Sequence, residues 1–451
     1  SIGNWAFEDC FFKKDNFINN STCTSDYYWG ATVYDTLQED GLMLLGDVVV
    51  SCRQTATAVT IPEGVTTIGE SAFRGCTDLT SVTIPESVTS FSDQAFYGCT
   101  ALTSINIPEG VERIGKQAFK NCTGLASITF PEGVTHIGRE AFQGCNGLKS
   151  ISFPESLTDI GHYAFANCIG LKDLKLPTSL TSIGWSAFLG CTSLVSIKIP
   201  ANVTSIGYHA FSSCPSVISI EVDPANNNYD SRSNCNAIIK KANNELIAGC
   251  KYTNIPEGVT SIAEWAFRNC NGLTNIKLPE SLLNIGGCAF QDCTELTAIN
   301  FPESLTGIGG SAFQGCASLA RIIIPAGVTN IGGSTFRGCA SLTNLSIPEG
   351  VNPIGIGAFA GCTNIKSVFL PGTITAIGDQ AFQGCINLVE CCVEWTKPLD
   401  IYYNVFGNID GNLVTLRVPA ATEPIYREAP VWKTFGTISE VWKEAGVHSE
   451  E

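Results

Sequence analysis

The sequence predicts a solenoid of the α/β type with few regular helices, because one short unit recurs along most of the 451-residue chain. The first observation is a cysteine every 23 residues, in one series from Cys76 to Cys214 and a second from Cys270 to Cys385. The second is a phenylalanine three residues before each of these thirteen cysteines. A unit this short cannot bury an apolar face alone, so its copies are expected to stack as coils around one continuous core.

The unit at residues 102–122 shows how each coil is built. Leu102, Ile105 and Ile107 form an L-x-x-L-x-L pattern, which predicts a short strand with alternate residues facing inward. Pro108 ends the strand because it lacks an N–H donor and has a fixed φ. Parallel pairing of such strands between coils gives a sheet along one face. The remaining inward groups of the unit are Val111, Ile114, Ala118, Phe119 and Cys122.

Two glycine positions in the unit have different explanations. The residue before the repeated cysteine is Gly in eight coils and Asn121, Asn167, Asn269, Asp292 or Ser213 in the other five, a mixture that indicates a left-handed backbone. The glycine after the repeated isoleucine, as in Gly115, is replaced by Ser92 and Ala263 in two coils. Close packing between coils explains this second position better than a positive φ.

These units resemble the BspA-like class of leucine-rich repeats, whose signature I-P-x-x-V-T-x-I-G-x-x-A-F-x-x-C recurs thirteen times over about 300 residues. The resemblance implies a right-handed leucine-rich repeat superhelix with one parallel β-sheet face. It also implies a surface or secreted protein of the type found in Bacteroidetes and other host-associated microbes. Several members of the class act as adhesins toward host matrix proteins or other cells.

The repeat divides the chain into six predicted segments. Residues 1–10 are the end of a truncated repeat, so we expect a signal or anchor upstream of Ser1. Residues 11–58 and 220–254 are insertions, each with a β-hairpin, and residues 59–219 and 255–390 are the two halves of the solenoid. Residues 391–451 are rich in aromatic side chains and are predicted to cap the last coil, with an aromatic ligand site as the alternative.

Composition excludes several classes of function. A formal charge of −16 disfavours binding to nucleic acid, and the short apolar runs contain no transmembrane segment. Three of the four histidines, His136, His162 and His209, occupy variable positions of different coils, and His448 lies in the tail. Since no catalytic motif is present either, we expect no enzymatic activity, no cofactor and no metal.

Cysteine and glutamate also recur, and each has a structural interpretation. The repeated thiols are expected to be free, buried and inert, because they point the same way into the core. The one disulfide that we consider joins two cysteines outside the series, Cys235 and Cys250, across the second hairpin. The glutamate after the proline, as in Glu86 and Glu109, forms an acidic row, which we interpret as solvated side chains in preference to a cation site.

The outward positions of the predicted strands are mostly small and polar, and they are the expected contact surface. Lys175 and Lys198 occupy such positions in adjacent coils, and Lys149 and Lys172 are close by in the sequence pattern. We call these four the basic island, with scattered surface lysines as the alternative interpretation. We therefore expect a monomeric, non-enzymatic repeat protein of the cell surface that binds a host matrix or cell-surface protein. A glycan-binding protein is one alternative, which predicts exposed aromatic platforms. A structural spacer that presents an upstream domain is the other.

Overall fold

The computed structural model describes residues 41–440, and the chain falls into two compact units that divide between Asp230 and Ser231. Each unit is a stack of coils joined by parallel strands, as the repeat predicts. The predicted segment 1–10, most of segment 11–58 and the end of segment 391–451 lie outside the described residues.

A nine-stranded sheet runs through the first unit. It begins with an antiparallel hairpin, and each later strand pairs in parallel with the equivalent residues of the next coil. Its strands are Leu42–Leu45, Val48–Cys52, Thr67–Ile68, Ser90–Phe91, Arg113–Ile114, His136–Ile137, Asp159–Ile160, Ser182–Ile183 and Ser205–Ile206.

A second set of strands in this unit lies at the predicted L-x-x-L-x-L position. These strands pair two by two: Ala58–Thr60 with Ser81–Thr83, Ser127–Thr129 with Ser150–Ser152, and Ser196–Ile199 with Ser219–Val222. The short strand Tyr229–Asp230 ends the unit.

The second unit repeats this plan. A predicted hairpin, Ala237–Lys240 and Glu245–Gly249, again begins a parallel ladder, which continues through Ser261–Ile262, Asn284–Ile285 and Gly307–Ile308. The other strands are Asn275–Lys277, Ala298–Asn300, Asn344–Ser346, Ser367–Leu370, Glu390–Val393, Thr415–Val418 and Thr437–Glu440. The helical segments are the α-helix Glu423–Glu428 and the 3₁₀ turns Arg232–Asn234, Gly411–Leu413 and Trp432–Thr434.

The sequence predicted the strand at Ser81–Thr83 and its equivalents, but not the longer ladder at Thr67–Ile68 and its equivalents. Each strand of that ladder has only two residues, too few to show an alternation of apolar and polar side chains. The ladder forms because successive coils of equal length place equivalent two-residue segments side by side, where they pair in parallel. The hairpins also have a role that the sequence did not reveal, since their second strands start both ladders.

Between the two sets of strands the chain forms no helix. It turns in a segment whose backbone N–H groups alternate between two kinds of hydrogen-bond partner. The backbone N–H groups of Gln117, Phe119 and Asn121 donate to carbonyls of the next coil at 2.7–2.8 Å, whereas the intervening N–H groups donate within their own coil. The residue before the repeated cysteine has a positive φ in all thirteen coils, which confirms the glycine prediction. A second positive φ, at Gln117 and its twelve equivalents, was not predicted, because only Gly357 among them is a glycine.

Like side chains stack on like in the core. Successive phenylalanine rings of the repeat, for example Phe119 and Phe142, have centroids 4.7–5.5 Å apart and planes within 10°. The glycine after the isoleucine is packed as predicted, since a Cβ on Gly115 would lie 2.6 Å from backbone atoms of Ser92.

The aromatic residues after position 391 divide between the core and the surface. Trp432 and Tyr426 are fully buried and contact each other edge to face, and Phe406 also packs on Trp432. Tyr402 and Tyr403 are exposed. The buried rings cover the end of the last coils, as a cap requires, whereas the predicted segment boundaries stay predictions.

Candidate functional site

The repeated cysteines have a structural role that their spacing alone does not explain. In eleven coils the thiol donates to the carbonyl oxygen of the phenylalanine in the preceding coil, at 3.0–3.4 Å. All are free thiols, as predicted. Burial raises the pKa of Cys145 to about 12, so a reactive thiolate does not form there near neutral pH.

The predicted disulfide pair lies at the base of the second hairpin. Cys235 and Cys250 are both buried free thiols in the structure, and their sulfurs contact the carbonyl oxygens of Ala237 and Asn236 at 3.8 Å. Burial raises the pKa of Cys250. The disulfide stays a prediction.

Glutamate carboxylates of the acidic row accept hydrogen bonds from backbone N–H groups of the next coil. The carboxylate of Glu86 accepts the backbone N–H of Glu109 one coil later, and Glu155 accepts both the N–H and the hydroxyl of Thr178. Within residues 41–440 no group of three or more His, Cys, Asp or Glu side chains is arranged to hold a metal ion. The three described histidines lie in three different columns of equivalent positions.

All four lysines of the basic island are exposed, and Lys198 lies in the strand Ser196–Ile199. Lys149 and Lys172 occupy equivalent positions in adjacent coils, joined by a backbone hydrogen bond, and Lys175 precedes Lys198 by one coil. Two features alter its chemistry. Glu221 pairs with Lys198 in the strand register, and the exposed apolar residues Val195 and Ile218 continue the column of Lys149 and Lys172.

A second exposed cluster lies on the turn side of the first unit, and sequence reasoning missed it. His162, Trp185 and Tyr208 follow the I-G pair of three successive coils, and we call them the aromatic column. Their ring centroids are 5.4 Å and 6.2 Å apart. Trp185 is 55% exposed and Tyr208 63%. The available signal was an aromatic residue in the same variable position at a 23-residue spacing.

Backbone contacts hold the aromatic column in place. The carbonyls of its members each accept an N–H from the preceding coil, and the N–H of Trp185 donates to Nδ1 of His162 at 2.8 Å. The indole of Trp185 lies against Gly207, where an added Cβ would be 2.4 Å from the ring. Glycine at this position therefore makes room for the ring.

Positive charge continues the same column before His162. Lys116 and Arg139 occupy the equivalent positions in the two preceding coils, and both are exposed. Arg139 donates to Glu140, which also accepts from Lys120 at 2.6 Å. Burial raises the pKa of Glu140, but hydrogen bonds from Lys120 and Gln117 and the charge of Arg139 lower it further, so the net shift is downward. The Glu140 carboxylate is therefore ionised at neutral pH, and its ion pair with Arg139 holds that side chain in place within the column.

The repeat units match a family model described as a BspA-type leucine-rich repeat region, over residues 50–171, 114–239, 243–339 and 308–429. Comparison with curated proteins gives no match. No helix among residues 41–440 is long and apolar enough to cross a membrane.

Solved bacterial structures share the architecture. A leucine-rich cell surface protein from Faecalibacterium prausnitzii is 32% identical, with a TM-score of 0.62 over 79% of this chain and 92% of that one. A leucine-rich repeat protein from Bacteroides ovatus is 28% identical, with a TM-score of 0.54 over 84% and 96% of the two chains. Another from Eubacterium ventriosum has the same fold at 22% identity, with a TM-score of 0.60 over 83% and 91%. The sequence matches and the stacked coils together show that this chain belongs to the BspA-type leucine-rich repeat family.

Proposed function

We propose that this chain is a non-enzymatic binding protein of the cell surface or the secreted fraction, and that its ligand is a protein of the host matrix or of another cell. The observation that carries the proposal is the basic island, whose four lysines are exposed and whose column of Lys149 and Lys172 continues into the exposed apolar residues Val195 and Ile218. The Faecalibacterium prausnitzii relative, a cell surface protein, supports the location.

The chemistry of this face suits a protein partner with an acidic patch. Lysines at the edge of an interface attract an acidic surface and speed association, while Val195 and Ile218 supply apolar area that water leaves on contact. Because the whole chain carries a charge of −16, a local positive face also orients an acidic partner relative to the rest of the molecule.

Binding of the full chain to arrayed matrix and cell-surface proteins tests the proposal. Reversing charge with Lys175→Glu and Lys198→Glu should weaken the interaction at least tenfold, or about 1.4 kcal/mol, and reduce its dependence on salt. Lys277→Glu, at an outward strand position of the second unit, is the matched control and should have no effect.

The outcomes separate the alternatives. Unchanged affinity in the double variant rules out the basic island, and an absence of protein and glycan binding favours the spacer. A glycan-binding role rests on a different part of the surface, the aromatic column, and its test uses different variants.

A further inference from the structure

We propose that the aromatic column and the two cations before it form a binding site for an acidic glycan chain. In this arrangement sugar rings pack on Trp185 and Tyr208, and a carboxylate or sulfate group of the same chain reaches Lys116 and Arg139. The site uses residues six positions before the repeated cysteine, whereas the lysines of the basic island lie four or seven positions after it.

The first argument is that the coil does not need these rings. Glycine occupies the equivalent position in three coils of the second unit, Gly287, Gly310 and Gly333, and those coils keep the same turns. The exposed fractions of Trp185 and Tyr208 show that most of their apolar surface remains in water. Large aromatic side chains exposed side by side, without a packing role, indicate a ligand.

The second argument concerns the polar edges of the rings. Within the described part of the chain, neither the indole N–H of Trp185 nor the hydroxyl of Tyr208 has a hydrogen-bond partner in the protein, although the backbone N–H of Trp185 and the carbonyl oxygens of both residues are bonded. A sugar ring has the matching chemistry, since its C–H groups form an apolar face and its hydroxyls project from the edge. Rings with an apolar body and a polar tip suit such a ligand.

The surroundings of the column favour a sugar over a protein surface. Protein hot spots usually lie in well-packed pockets, within a ring of contacts that exclude water. The residues three positions before Trp185 and Tyr208 are the short, polar Ser182 and Ser205. The exposed fractions of Trp185 and Tyr208 leave both rings accessible to a narrow chain that runs along the column.

The third argument is charge. Lys116 has no carboxylate within 4.0 Å of its ammonium group among the described residues, and Arg139 uses its Nε for Glu140 while its side chain stays 58% exposed. Two cations in line with three aromatic rings, one coil apart, match a polymer that carries a negative charge at regular intervals. A neutral glycan would not use them.

The test measures binding of the full chain to hyaluronan and chondroitin sulfate oligosaccharides, with neutral β1,4-linked N-acetylglucosamine oligomers as the uncharged comparison. The acidic oligosaccharides should bind, the neutral ones at least tenfold more weakly, and added salt should weaken binding. Trp185→Ala should reduce affinity at least tenfold, Tyr208→Phe should have a smaller effect because only the hydroxyl is lost, and Lys116→Gln should lower both affinity and salt dependence.

Two controls address folding and specificity. Tyr252→Ala and Tyr403→Ala remove exposed tyrosines elsewhere and should leave the affinity unchanged. Lys175→Glu with Lys198→Glu should also leave sugar binding unchanged, and Trp185→Ala should leave protein binding at the basic island unchanged, so the two proposals fail independently.

Several results would overturn the inference. These are no binding of either acidic oligosaccharide, equal binding of the neutral oligomers, or an affinity that Trp185→Ala does not alter. Binding of an enzymatically deglycosylated protein that Trp185→Ala abolishes would assign the column to a protein ligand instead.

Discussion

The thiol of Cys122 donates a hydrogen bond to the carbonyl oxygen of Phe96 in the preceding coil, across 3.0 Å from Sγ to O. The same oxygen accepts the backbone N–H of Cys99, so both of its lone pairs are used. Valine or alanine at this position would fill the core but leave the carbonyl with one partner. This contact gives a physical reason for cysteine, in preference to another small apolar residue, in the eleven coils that form it.

The buried thiols predict a loss of stability in alkali. Burial raises the pKa of Cys145, Cys214, Cys316 and Cys385 from 9.0 to about 12. Between these values the unfolded chain releases thiol protons that the folded chain keeps, so the free energy of unfolding falls as pH rises from 9 to about 12. Each such thiol should contribute about 1.4 kcal/mol per pH unit across that window.

Urea unfolding followed by circular dichroism at a series of pH values measures this slope. The variant Cys145→Val with Cys316→Val should lose stability less steeply above pH 9 than the wild-type chain, because two titrating groups are gone. An identical slope in the two proteins would show that the buried thiols do not control the alkaline transition.

The two glycine positions of the coil should respond differently to alanine. Gly98 has a φ of +73° and no atom within 4 Å of an added Cβ, so Gly98→Ala meets only the cost of the left-handed backbone, about 1–2 kcal/mol. At Gly115 the Cβ would lie 2.6 Å from Ser92 atoms, and the coils must separate. We expect Gly115→Ala to cost more than Gly98→Ala in the free energy of unfolding, with Asn121→Gly as a control that costs little.

Equilibrium unfolding of the three variants decides between the explanations. Equal costs at Gly98 and Gly115 would mean that backbone conformation, and not close packing, governs both positions.

Glu140 predicts a loss of stability in acid. Its folded pKa lies below the ordinary value of 4.5, because the effects of Lys120, Gln117 and Arg139 outweigh burial. The carboxylate therefore stabilises the fold above pH 4.5, and this contribution disappears as pH falls through the lowered pKa. Glu140→Gln should cost about 1–2 kcal/mol at neutral pH, a modest value since Lys120 and Arg139 are partly exposed.

Unfolding midpoints at neutral pH and at a series of acid pH values below 4.5 test this dependence. The wild-type chain and Glu140→Gln should differ at neutral pH and converge in acid, whereas the exposed Glu349→Gln should match the wild type throughout. A difference that persists unchanged in acid would assign the effect to packing rather than charge.

Sequence reasoning was sufficient wherever the period of the repeat carried the information. The inward residues, the left-handed position at Asn121 and the hairpin at Leu42–Leu45 follow from spacing and residue type. Each of these features repeats the same kind of side chain, or a familiar turn signal, at a fixed place in the coil.

The missed features depend on neighbours in space and not on the coil itself. The left-handed φ at Gln117 is imposed by hydrogen bonds to the next coil, so the side chain there varies freely. The aromatic column has the same origin. Trp185 and Tyr208 fill a position that holds charged residues, glycine, His162 or Ile356 in other coils, and they become a surface only when the register aligns them.

The last prediction concerns the aromatic cluster at the C-terminal end. Trp432 is fully buried, its Nε1 donates to the carbonyl of Leu399 at 2.7 Å, and its ring centroid lies 5.9 Å from those of Trp395 and Phe406. Trp432→Ala should therefore cost about 3–5 kcal/mol. Because each coil of a solenoid contacts only its neighbours, the loss should be confined at first to the adjacent strands.

Hydrogen exchange resolves where that loss occurs. In Trp432→Ala the amides of Thr415–Val418 and Thr437–Glu440 should exchange faster, while those of the first unit keep wild-type rates. Tyr403→Ala, which removes a ring that is 85% exposed, should leave both regions unchanged. Wild-type protection in Trp432→Ala would instead favour the ligand-site interpretation of these aromatic residues, since a ring that serves only to bind a ligand is not needed to hold the last coils together.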